Sequence, residues 1–332
     1  MQSGSSASRK FIPKAVTVLT LSSASSAWGV GLPSSLGGPI LVFGKIGQVG
    51  SALVRLLGSR AIPPSVEEVD FEKPRAVSSW LERYPARPVA VINAAAYTQV
   101  DQAEKEESRA FSINAESPAL IASYCAKRDI PFVHYSTDYV YPGDGVEPWT
   151  EQSKTGPLSA YGRSKLAGDE AIAAAHGKFL NFRTSWVYDS MGQNFVNTML
   201  KLGAERENLR VVSDQIGAPT YALHLAHATL RTLEAALLQA RFPSGVYHAC
   251  NSGETSWHGF AEEIFAQARK LGFPLKVKEV KSIPSSEYPT PARRPENSRL
   301  NCAEMRKVFG IELPNWKIGL KECLEAKGHS SQ

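Results

Sequence analysis

The chain has 332 residues, 43% apolar and 21% charged, a composition that supports one large or two ordinary globular domains and excludes disorder over the whole length. No apolar run approaches the roughly 18 residues that cross a bilayer, and no heptad or longer repeat is visible. Membrane spans, coiled coils and solenoids are therefore excluded. The net charge of +5 comes from residues 1–66, which carry no acid, and the interspersed charges beyond them argue against nucleic-acid binding.

The N-terminal segment and the cysteines indicate the compartment. Residues 1–38 are basic, acid-free and rich in serine. We interpret them as an unstructured extension, although a secretory signal or a transit peptide has a similar composition. The cysteines are far apart in sequence and lack metal-ligand spacing, so we interpret them as small buried hydrophobes of a cytoplasmic protein: Cys125, Cys250, Cys302 and Cys323.

A strand, a glycine turn and a helix are predicted to begin the ordered chain at Pro39. The apolar run Ile40–Phe43 predicts a buried parallel strand, and Gly44, Gly47 and Gly50 follow it before apolar residues recur at helical spacing. Glycines in such a turn let the backbone approach a pyrophosphate, which the amides of the helix N-terminus then stabilise. The spacing is GxxGxxG rather than GxGxxG, so the turn alone is weak evidence for a dinucleotide site.

The adenosine end of this site departs from the usual pattern, in which an acid lies about 20 residues further on. The stretch before Val69 is short and rich in proline, and it does not clearly predict a second strand. Asp70 is the best candidate for binding the adenosine ribose. Lys45 and Arg60 would serve a 2′-phosphate or face water, so the choice between NADH and NADPH stays open.

Strands and helices continue to alternate and predict the fold class. The third strand, Val89–Ile92, is followed by the small residues Ala94–Ala96, which leave room for a cofactor at the carboxyl edge of a sheet. A fourth strand within 131–139 ends in polar residues. The alternation predicts an α/β fold with a Rossmann-like, doubly wound parallel sheet over residues 39–188.

Tyr161 and Lys165 carry the predicted chemistry, because residues four apart share one face of a helix. A phenol with a pKa of about 10 is a poor acid at neutral pH, and we expect the Lys165 ammonium to lower the pKa of Tyr161. Tyr161 then becomes a usable proton donor or acceptor. YxxxK is common by chance, but its position after a strand ending in Ser136 and Thr137 favours a catalytic pair.

From Ile40 to about Glu322 the chain resembles the extended short-chain dehydrogenase/reductase family, and within it the sugar-nucleotide reductases. The glycine turn and the tyrosine–lysine helix mark the superfamily. The segments that narrow the resemblance to the sugar-nucleotide reductases are Thr137–Tyr139, Arg183–Tyr188, Asp214–Thr220 and Arg294–Ser298.

The resemblance implies an enzyme that reduces the C4 ketone of dTDP-4-dehydro-β-L-rhamnose to dTDP-β-L-rhamnose, a donor for cell-surface polysaccharide, with NADPH or NADH supplying the hydride. It implies that Tyr161 protonates the developing alkoxide and that Thr137 donates a hydrogen bond to the same oxygen. It assigns to Lys165 both the lowering of the Tyr161 pKa and the binding of the nicotinamide ribose.

The resemblance also implies two groups of binding residues. Those expected to bind the cofactor are Gly44, Gly47, Gln48, Val49, Gly50, Asp70, Ala94, Ala95, Ala96, Tyr161 and Lys165. Those expected to bind the substrate are Thr137, Asp138, Tyr139, Trp186 and Arg294, with Arg293 or Arg294 on the diphosphate.

The second half of the chain, residues 189–330, is expected to form a smaller, mainly substrate-binding α/β domain. A strand near 245–250 is expected to return to the main sheet. The sequence supports no metal site, although some relatives use Mg²⁺. The expected partner is a nucleotide sugar, with a homodimer possible and neither nucleic acid nor a membrane involved.

Two other functions stay open. One is a sugar-nucleotide 4,6-dehydratase or epimerase, although a dehydratase would carry Asp-Glu after Thr137, where this chain has Asp138 and Tyr139. The other is a non-enzymatic regulatory subunit of the methionine adenosyltransferase β type, which shares the fold. The presence of both Tyr161 and Lys165 argues against a purely regulatory role.

Overall fold

A computed structural model describes residues 36–330 of the chain; the remainder of the predicted N-terminal extension, residues 1–35, lies outside the described residues. The strands are β1 Ile40–Phe43, β2 Ala61–Ile62, β3 Ala90–Asn93, β4 Phe132–Thr137, β5 Phe179–Thr184, β6 Val187–Tyr188, β7 Asn208–Val212, β8 Ile216–Gly217, β9 Thr220–Tyr221, β10 Gly245–His248, β11 Thr255–Ser256, β12 Glu279–Ile283 and β13 Asn297–Ser298. The helices are α1 Gln48–Leu57, α2 Pro74–Arg83, α3 Val100–Ala103, α4 Glu107–Phe111, α5 Ser117–Lys127, α6 Ala160–Ala174, α7 Phe195–Glu205, α8 Ala222–Leu237, α9 Trp257–Lys270, α10 Ala303–Phe309 and α11 Trp316–Ser330.

A six-stranded sheet in the order β10-β5-β4-β3-β1-β2 forms the centre of the molecule, and all its strand pairs are parallel. All four residues of β1 are buried, because helices cover both faces of the sheet. The sheet confirms the predicted Rossmann-like α/β fold. The second strand, which the sequence did not clearly predict, is the two-residue β2 at the sheet edge.

The two faces of the sheet carry separate apolar cores. Ile40 and Val42 pack with Leu53 of α1 and Leu225 of α8 on one face. Leu41 and its alternate neighbours point to the other face and pack with side chains of α2 and α5. This alternation is the period of two that a strand imposes on its side chains.

The C-terminal half contributes a second, smaller layer. β12 pairs in parallel with β7, and β8 lies between β11 and β13. A third apolar core joins Val196 of α7, Phe260 and Ile264 of α9 and Leu320 of α11. This layer closes one side of the carboxyl edge of the main sheet.

The boundary near residue 188 does not separate the two layers. α8 packs on α1 as part of the main core, and β10 extends the main sheet beyond β5, as expected for a strand near residues 245–250. No local sequence pattern distinguishes α8 from a helix of the second layer. The chain therefore crosses between the layers more than once.

Ordered structure begins before Pro39. Leu36 is 1% exposed and belongs to the main core, and the Arg60 guanidinium donates a hydrogen bond to its carbonyl at 2.6 Å. Arg60 is thus committed to the N-terminal segment rather than to a cofactor phosphate.

The cysteines are all free, and three of them are buried as predicted. Cys302 is only partly buried, and its Sγ lies 3.4 Å from Sγ of Cys250 although the two are distant in sequence. Within residues 36–330, no helix is both long and apolar enough to cross a membrane.

Candidate active site

The glycine turn packs against the end of β3. Gly44 has φ +86°, and a Cβ atom there would overlap the peptide between Ala94 and Ala95. A Cβ atom on Gly50 would overlap the Gly44 carbonyl, whereas one on Gly47 would make ordinary contacts of 3.4 Å or more. Gly44 and Gly50 are therefore needed by the fold of the turn, whereas a Cβ atom at Gly47 would fit without overlap.

A cavity of about 240 Å³ lies between this turn and the loops after β2 and β3. Its lining brings together six of the residues predicted to bind the cofactor: Gly44, Gly47, Asp70, Ala94, Ala95 and Ala96. Asp70 forms a 3.0 Å ion pair with Lys73, which lowers the pKa of its carboxyl group. The cavity, called the adenosine cavity below, lies next to the glycine turn and the N-terminal amides of α1, which are groups that could stabilise a pyrophosphate.

The other residues predicted at the glycine turn lie elsewhere. Gln48 donates to the Val187 carbonyl at 3.3 Å and accepts from Asn194 at 3.1 Å, so it faces the second layer. Val49 packs against the main core. These two side chains position α1 rather than line the cavity.

The helix α6 carries Tyr161 and Lys165 as predicted. Its N-cap residue Ser159 accepts a 3.1 Å hydrogen bond from the Gly162 amide, which ends the preceding loop and begins the helix. Gly162 lies against the Tyr139 carbonyl, where a side chain would not fit. Close packing of α6 on the end of β4 thus places Tyr161 beside Thr137.

The Thr137 hydroxyl interacts with two candidate site residues, Asp138 and Tyr161. It donates to Asp138 Oδ1 at 3.0 Å and accepts from the Tyr139 amide at 3.2 Å. A hydrogen bond with Thr137 lowers the pKa of Tyr161, but burial raises that pKa by more, so the net pKa lies above the ordinary value. Burial also raises the pKa of Asp138 to about 6.

Lys165 is 1% exposed and turns towards β4. Its Nζ donates to the Tyr135 carbonyl at 2.6 Å and lies 3.1 Å from His134 Nε2. Burial, partly offset by Asp169, lowers the pKa of Lys165 to about 8. In this structure Lys165 Nζ contacts β4, and the pKa of Tyr161 is set chiefly by burial and by Thr137, so the expectation that Lys165 lowers the pKa of Tyr161 stays a prediction.

The predicted substrate residue Trp186 stacks on Trp257 with ring centroids 3.7 Å apart. Its φ of +48° lies in the left-handed region, which is uncommon for a bulky residue and marks a constrained backbone. Trp257 also donates from Nε1 to Gln215 at 3.2 Å. Tyr139 packs edge-on against Tyr161 at 5.5 Å on the opposite side of the edge.

A cleft of about 640 Å³ lies in the second layer next to this stack. Of the predicted substrate residues it is lined by Arg294, together with basic and aromatic side chains that include Arg206, Arg210, Trp257 and Tyr288. Arg294 forms a two-pronged ion pair with Asp101 of α3, at 2.9 and 2.7 Å. Arg293 is exposed.

Sequence reasoning missed three residues at this edge: Asp101, His134 and Trp257. Their partners are distant along the chain, so no local pattern indicates the contacts. In residues 36–330 no group of three His, Cys, Asp or Glu side chains is arranged to hold a metal ion.

The parallel sheet, the glycine turn and the tyrosine–lysine helix define an extended short-chain dehydrogenase/reductase. Residues 38–328 match the family model described as RmlD substrate binding domain. The dTDP-4-dehydrorhamnose reductases of Escherichia coli K12 and Burkholderia thailandensis are 44% and 43% identical over 86% of this chain, covering 96% and 97% of theirs. The chain therefore belongs to the RmlD family of dTDP-4-dehydrorhamnose reductases.

A solved structure supports the same assignment. The dTDP-4-dehydrorhamnose reductase of Bacillus anthracis, crystallised in complex with NADP, is 34% identical, with a TM-score of 0.79 and coverage of 87% of this chain and 99% of that one. These matches favour an oxidoreductase over the 4,6-dehydratase and the regulatory subunit.

Proposed function

We propose that the chain reduces the C4 ketone of dTDP-4-dehydro-β-L-rhamnose to dTDP-β-L-rhamnose with NADPH or NADH. Membership of the RmlD family supports the reaction and the substrate. The observation that carries the proposal is the placement of Tyr161 and Thr137 at the carboxyl edge of the sheet, where the glycine turn also ends. Ligands of doubly wound sheets bind at this edge.

When bound, the reduced nicotinamide supplies the hydride that the C4 ketone accepts. Tyr161 would donate its phenolic proton to the developing alkoxide. Thr137 donates a hydrogen bond to the same oxygen once its hydroxyl turns away from Asp138. Lys165 would hold the nicotinamide ribose and would stabilise the Tyr161 phenolate when the cofactor is bound.

The proposed substrate residues lie on both layers. Asp138 and Tyr139 follow β4, and Trp186 presents its stacked ring from the other side. The cleft beside Trp257 has the size and the basic side chains that a nucleoside diphosphate requires. Arg294, held in place by Asp101, is the proposed diphosphate ligand.

For the cofactor, the proposed binding residues are Gly44, Gly47, Gln48, Val49, Gly50, Asp70 and Ala94–Ala96; Gln48 and Val49 would act through their backbone amides at the start of α1, since their side chains pack elsewhere. Lys45 lines the adenosine cavity, and its Nζ donates to the Pro63 carbonyl at 3.1 Å. No acid follows β2 directly, because Pro63 and Pro64 occupy that position. Lys45 is the proposed neighbour of a 2′-phosphate if NADPH binds, and the NADP bound by the Bacillus anthracis relative supports this, while the choice between NADPH and NADH stays open.

The test is to incubate the purified chain with NADPH or NADH and the dTDP-4-keto sugar, and to follow the loss of reduced-nicotinamide absorbance and the formation of dTDP-rhamnose. Turnover with dTDP-rhamnose as product is expected. Cofactor binding without turnover would overturn the proposal and favour a regulatory protein.

We expect Tyr161→Phe to keep the affinity for NADPH and to lower kcat by about 10² to 10⁴ fold, the usual contribution of a positioned general acid. Fluorescence titration gives the affinity and steady-state assays give kcat. Tyr84→Phe is the matched control, since Tyr84 stacks on Trp80 and contacts no candidate residue. Unchanged turnover in Tyr161→Phe would remove Tyr161 from the proton transfer.

The proposed context is a homodimer in the cytoplasm. Free cysteines in the described chain are consistent with a reducing compartment. Light scattering of the purified chain and fractionation of cells measure the two parts of this proposal separately.

A further inference from the structure

A buried chain of hydrogen bonds links the cofactor cavity to Lys165. The amide of Ala95, which lines the adenosine cavity, donates to Asn93 Oδ1 at 3.0 Å. Asn93 Nδ2 lies 3.1 Å from His134 Nδ1, and His134 Nε2 lies 3.1 Å from Lys165 Nζ. Asn93, His134 and Lys165 are each at most 1% exposed, so no bulk water substitutes for a missing partner.

The first bond fixes the orientation of the Asn93 side chain. The Ala95 amide is a donor, so the atom of Asn93 that faces it must be the carbonyl oxygen. The NH₂ group of Asn93 then faces His134 and donates to Nδ1. Reversing the amide would place two donors against each other at the Ala95 position. Side-chain amides are assigned from their hydrogen-bond networks in this way.

The orientation of Asn93 in turn fixes the tautomer of His134. Since Nδ1 accepts from Asn93, the proton of the neutral ring lies on Nε2, and Nε2–H points at Lys165 Nζ. A lysine ammonium has three donors and no acceptor, whereas a neutral amine has one lone pair. Only the neutral amine satisfies every bond, accepting from His134 and donating to the Tyr135 carbonyl.

We propose that His134 is a positioning residue for Lys165, and that in the cofactor-free protein its Nε2–H donates to Lys165 and holds that side chain as a neutral amine. An ammonium at this position leaves two donors facing each other at either His134 or Asn93. The network therefore opposes the charged form until other acceptors, such as the ribose hydroxyls of a bound dinucleotide, surround Nζ.

The charges around Lys165 agree with this state. The carboxylate of Asp169, one turn further along α6, raises the pKa of Lys165, but it is already paired with Arg183 of β5 at 3.0 Å. Burial outweighs Asp169 and lowers the pKa of Lys165 to about 8. A bond accepted by the amine lowers the pKa further, because it exists only in the neutral form. Burial holds the pKa of His134 well below its usual value, so the ring stays neutral.

The proposal goes beyond the proposed function in assigning a role to His134, and it rests on that function only for the role of Lys165. Nitrogen NMR of the histidine rings tests it without turnover. In the full, cofactor-free chain labelled in its histidine side chains, we expect His134 to be protonated at Nε2 and to stay neutral from about pH 5 to pH 9. The His134→Gln chain identifies the signal by its absence. An Nδ1–H ring or an imidazolium overturns the proposal.

The lysine is measured in the same way. With lysine labelled at Cε, Lys165 should titrate below about pH 8, because burial offset by Asp169 already gives about 8 and the His134 bond lowers the pKa further, while solvated lysines titrate near pH 10.4. Lys165→Met assigns that signal. A Lys165 signal that titrates at or above about pH 8 also overturns the proposal.

Asn93→Asp gives a matched variant that differs by one atom group. One carboxylate oxygen still accepts from Ala95, and the other now accepts from His134, which moves the ring proton to Nδ1. His134 Nε2 then becomes an acceptor for the Lys165 ammonium. We expect the tautomer to switch and the Lys165 titration to move to higher pH. A higher Lys165 titration without the tautomer switch would show a simple charge effect and contradict the chain of bonds.

Failure of this proposal and failure of the proposed function are separable. An Nδ1–H ring in a chain that oxidises NADPH with the dTDP-4-keto sugar removes His134 from its role and leaves the reductase intact. An Nε2–H ring in a chain that never turns over keeps the His134–Lys165 contact and removes the reductase. The unmodified chain gives both readings, so a variant that fails to fold does not affect the test.

Discussion

The buried carboxyl group of Asp138, a proposed substrate-binding residue, makes the stability of the protein depend on pH. The carboxyl group is 2% exposed, follows β4 directly and accepts from the Thr137 hydroxyl. Burial raises its pKa to about 6 from an ordinary value of 3.8. The folded protein therefore binds its proton more tightly than the unfolded chain does. The stability that this proton contributes is present at low pH and is lost as the pH rises from about 4 to 6.

We expect Asp138→Asn to raise the free energy of unfolding at pH 7 by about 2 kcal/mol, because a neutral amide avoids the cost of a buried charge. The gain should shrink towards pH 4, where the native carboxyl is already protonated. Denaturant unfolding at the two pH values measures it. Asp129→Asn is the control, since the Asp129 side chain is 70% exposed and should show little effect at either pH. A gain of equal size at pH 4 and pH 7 would contradict a charge effect.

In the turn between β1 and α1, the glycines are required for different reasons. Gly50 packs on the Gly44 carbonyl, a backbone atom that cannot rotate away. Gly47 has an ordinary φ of −75° and is the N-cap of α1, where a Cβ atom would make only ordinary contacts of 3.4 Å or more. One glycine is thus required by the packing of the helix on the strand, and the other by whatever approaches the start of the helix.

We expect Gly50→Ala to destabilise the protein by about 2 kcal/mol or more, since overpacking against backbone has few ways to relax. Gly47→Ala should keep the melting temperature within a few degrees and weaken NADPH binding, because a methyl group there occupies the approach of the pyrophosphate. Calorimetry and fluorescence titration separate the two effects. Equal melting temperatures for the two variants would remove the structural role assigned to Gly50.

Elements with a local signature could be predicted from the sequence, and contacts between distant segments could not. The strand Ile40–Phe43 follows from its own apolar residues. The helix that carries Tyr161 likewise begins at an N-cap whose partner is only a few residues away. The stack of Trp186 on Trp257 and the pair of Arg294 with Asp101 each join segments far apart in the chain. Their geometry is decided by packing, which leaves no period or spacing to detect. The contact between the thiols of Cys250 and Cys302 could not be predicted from the sequence for the same reason.

For the whole molecule, the interleaving of the two layers determines how it unfolds. β10 belongs to the main sheet although it follows the first elements of the second layer, and α8 joins the main core from the same half of the chain. Neither layer can separate without breaking strand pairs or an apolar core. Such coupling favours a single cooperative unit over two independent ones.

We therefore expect peptides from β1 and from α9 to lose protection from hydrogen exchange at the same denaturant concentration. The two segments lie in different layers and in different apolar cores, so each reports on one layer. Hydrogen exchange followed by mass spectrometry across a urea series measures both at once. Earlier loss of protection in α9 than in β1 would show that the second layer opens on its own.

The place of β10 at the end of the sheet also affects how the protein is made. On the ribosome, β5 emerges well before its partner strand β10. Until β10 arrives, Leu180 and Phe182 are not fully buried, and one row of β5 amides and carbonyls is unpaired. At ordinary rates of translation the delay before β10 arrives is on the order of several seconds. Throughout that interval the nascent chain presents an open, apolar strand edge, the kind of edge that pairs with other chains.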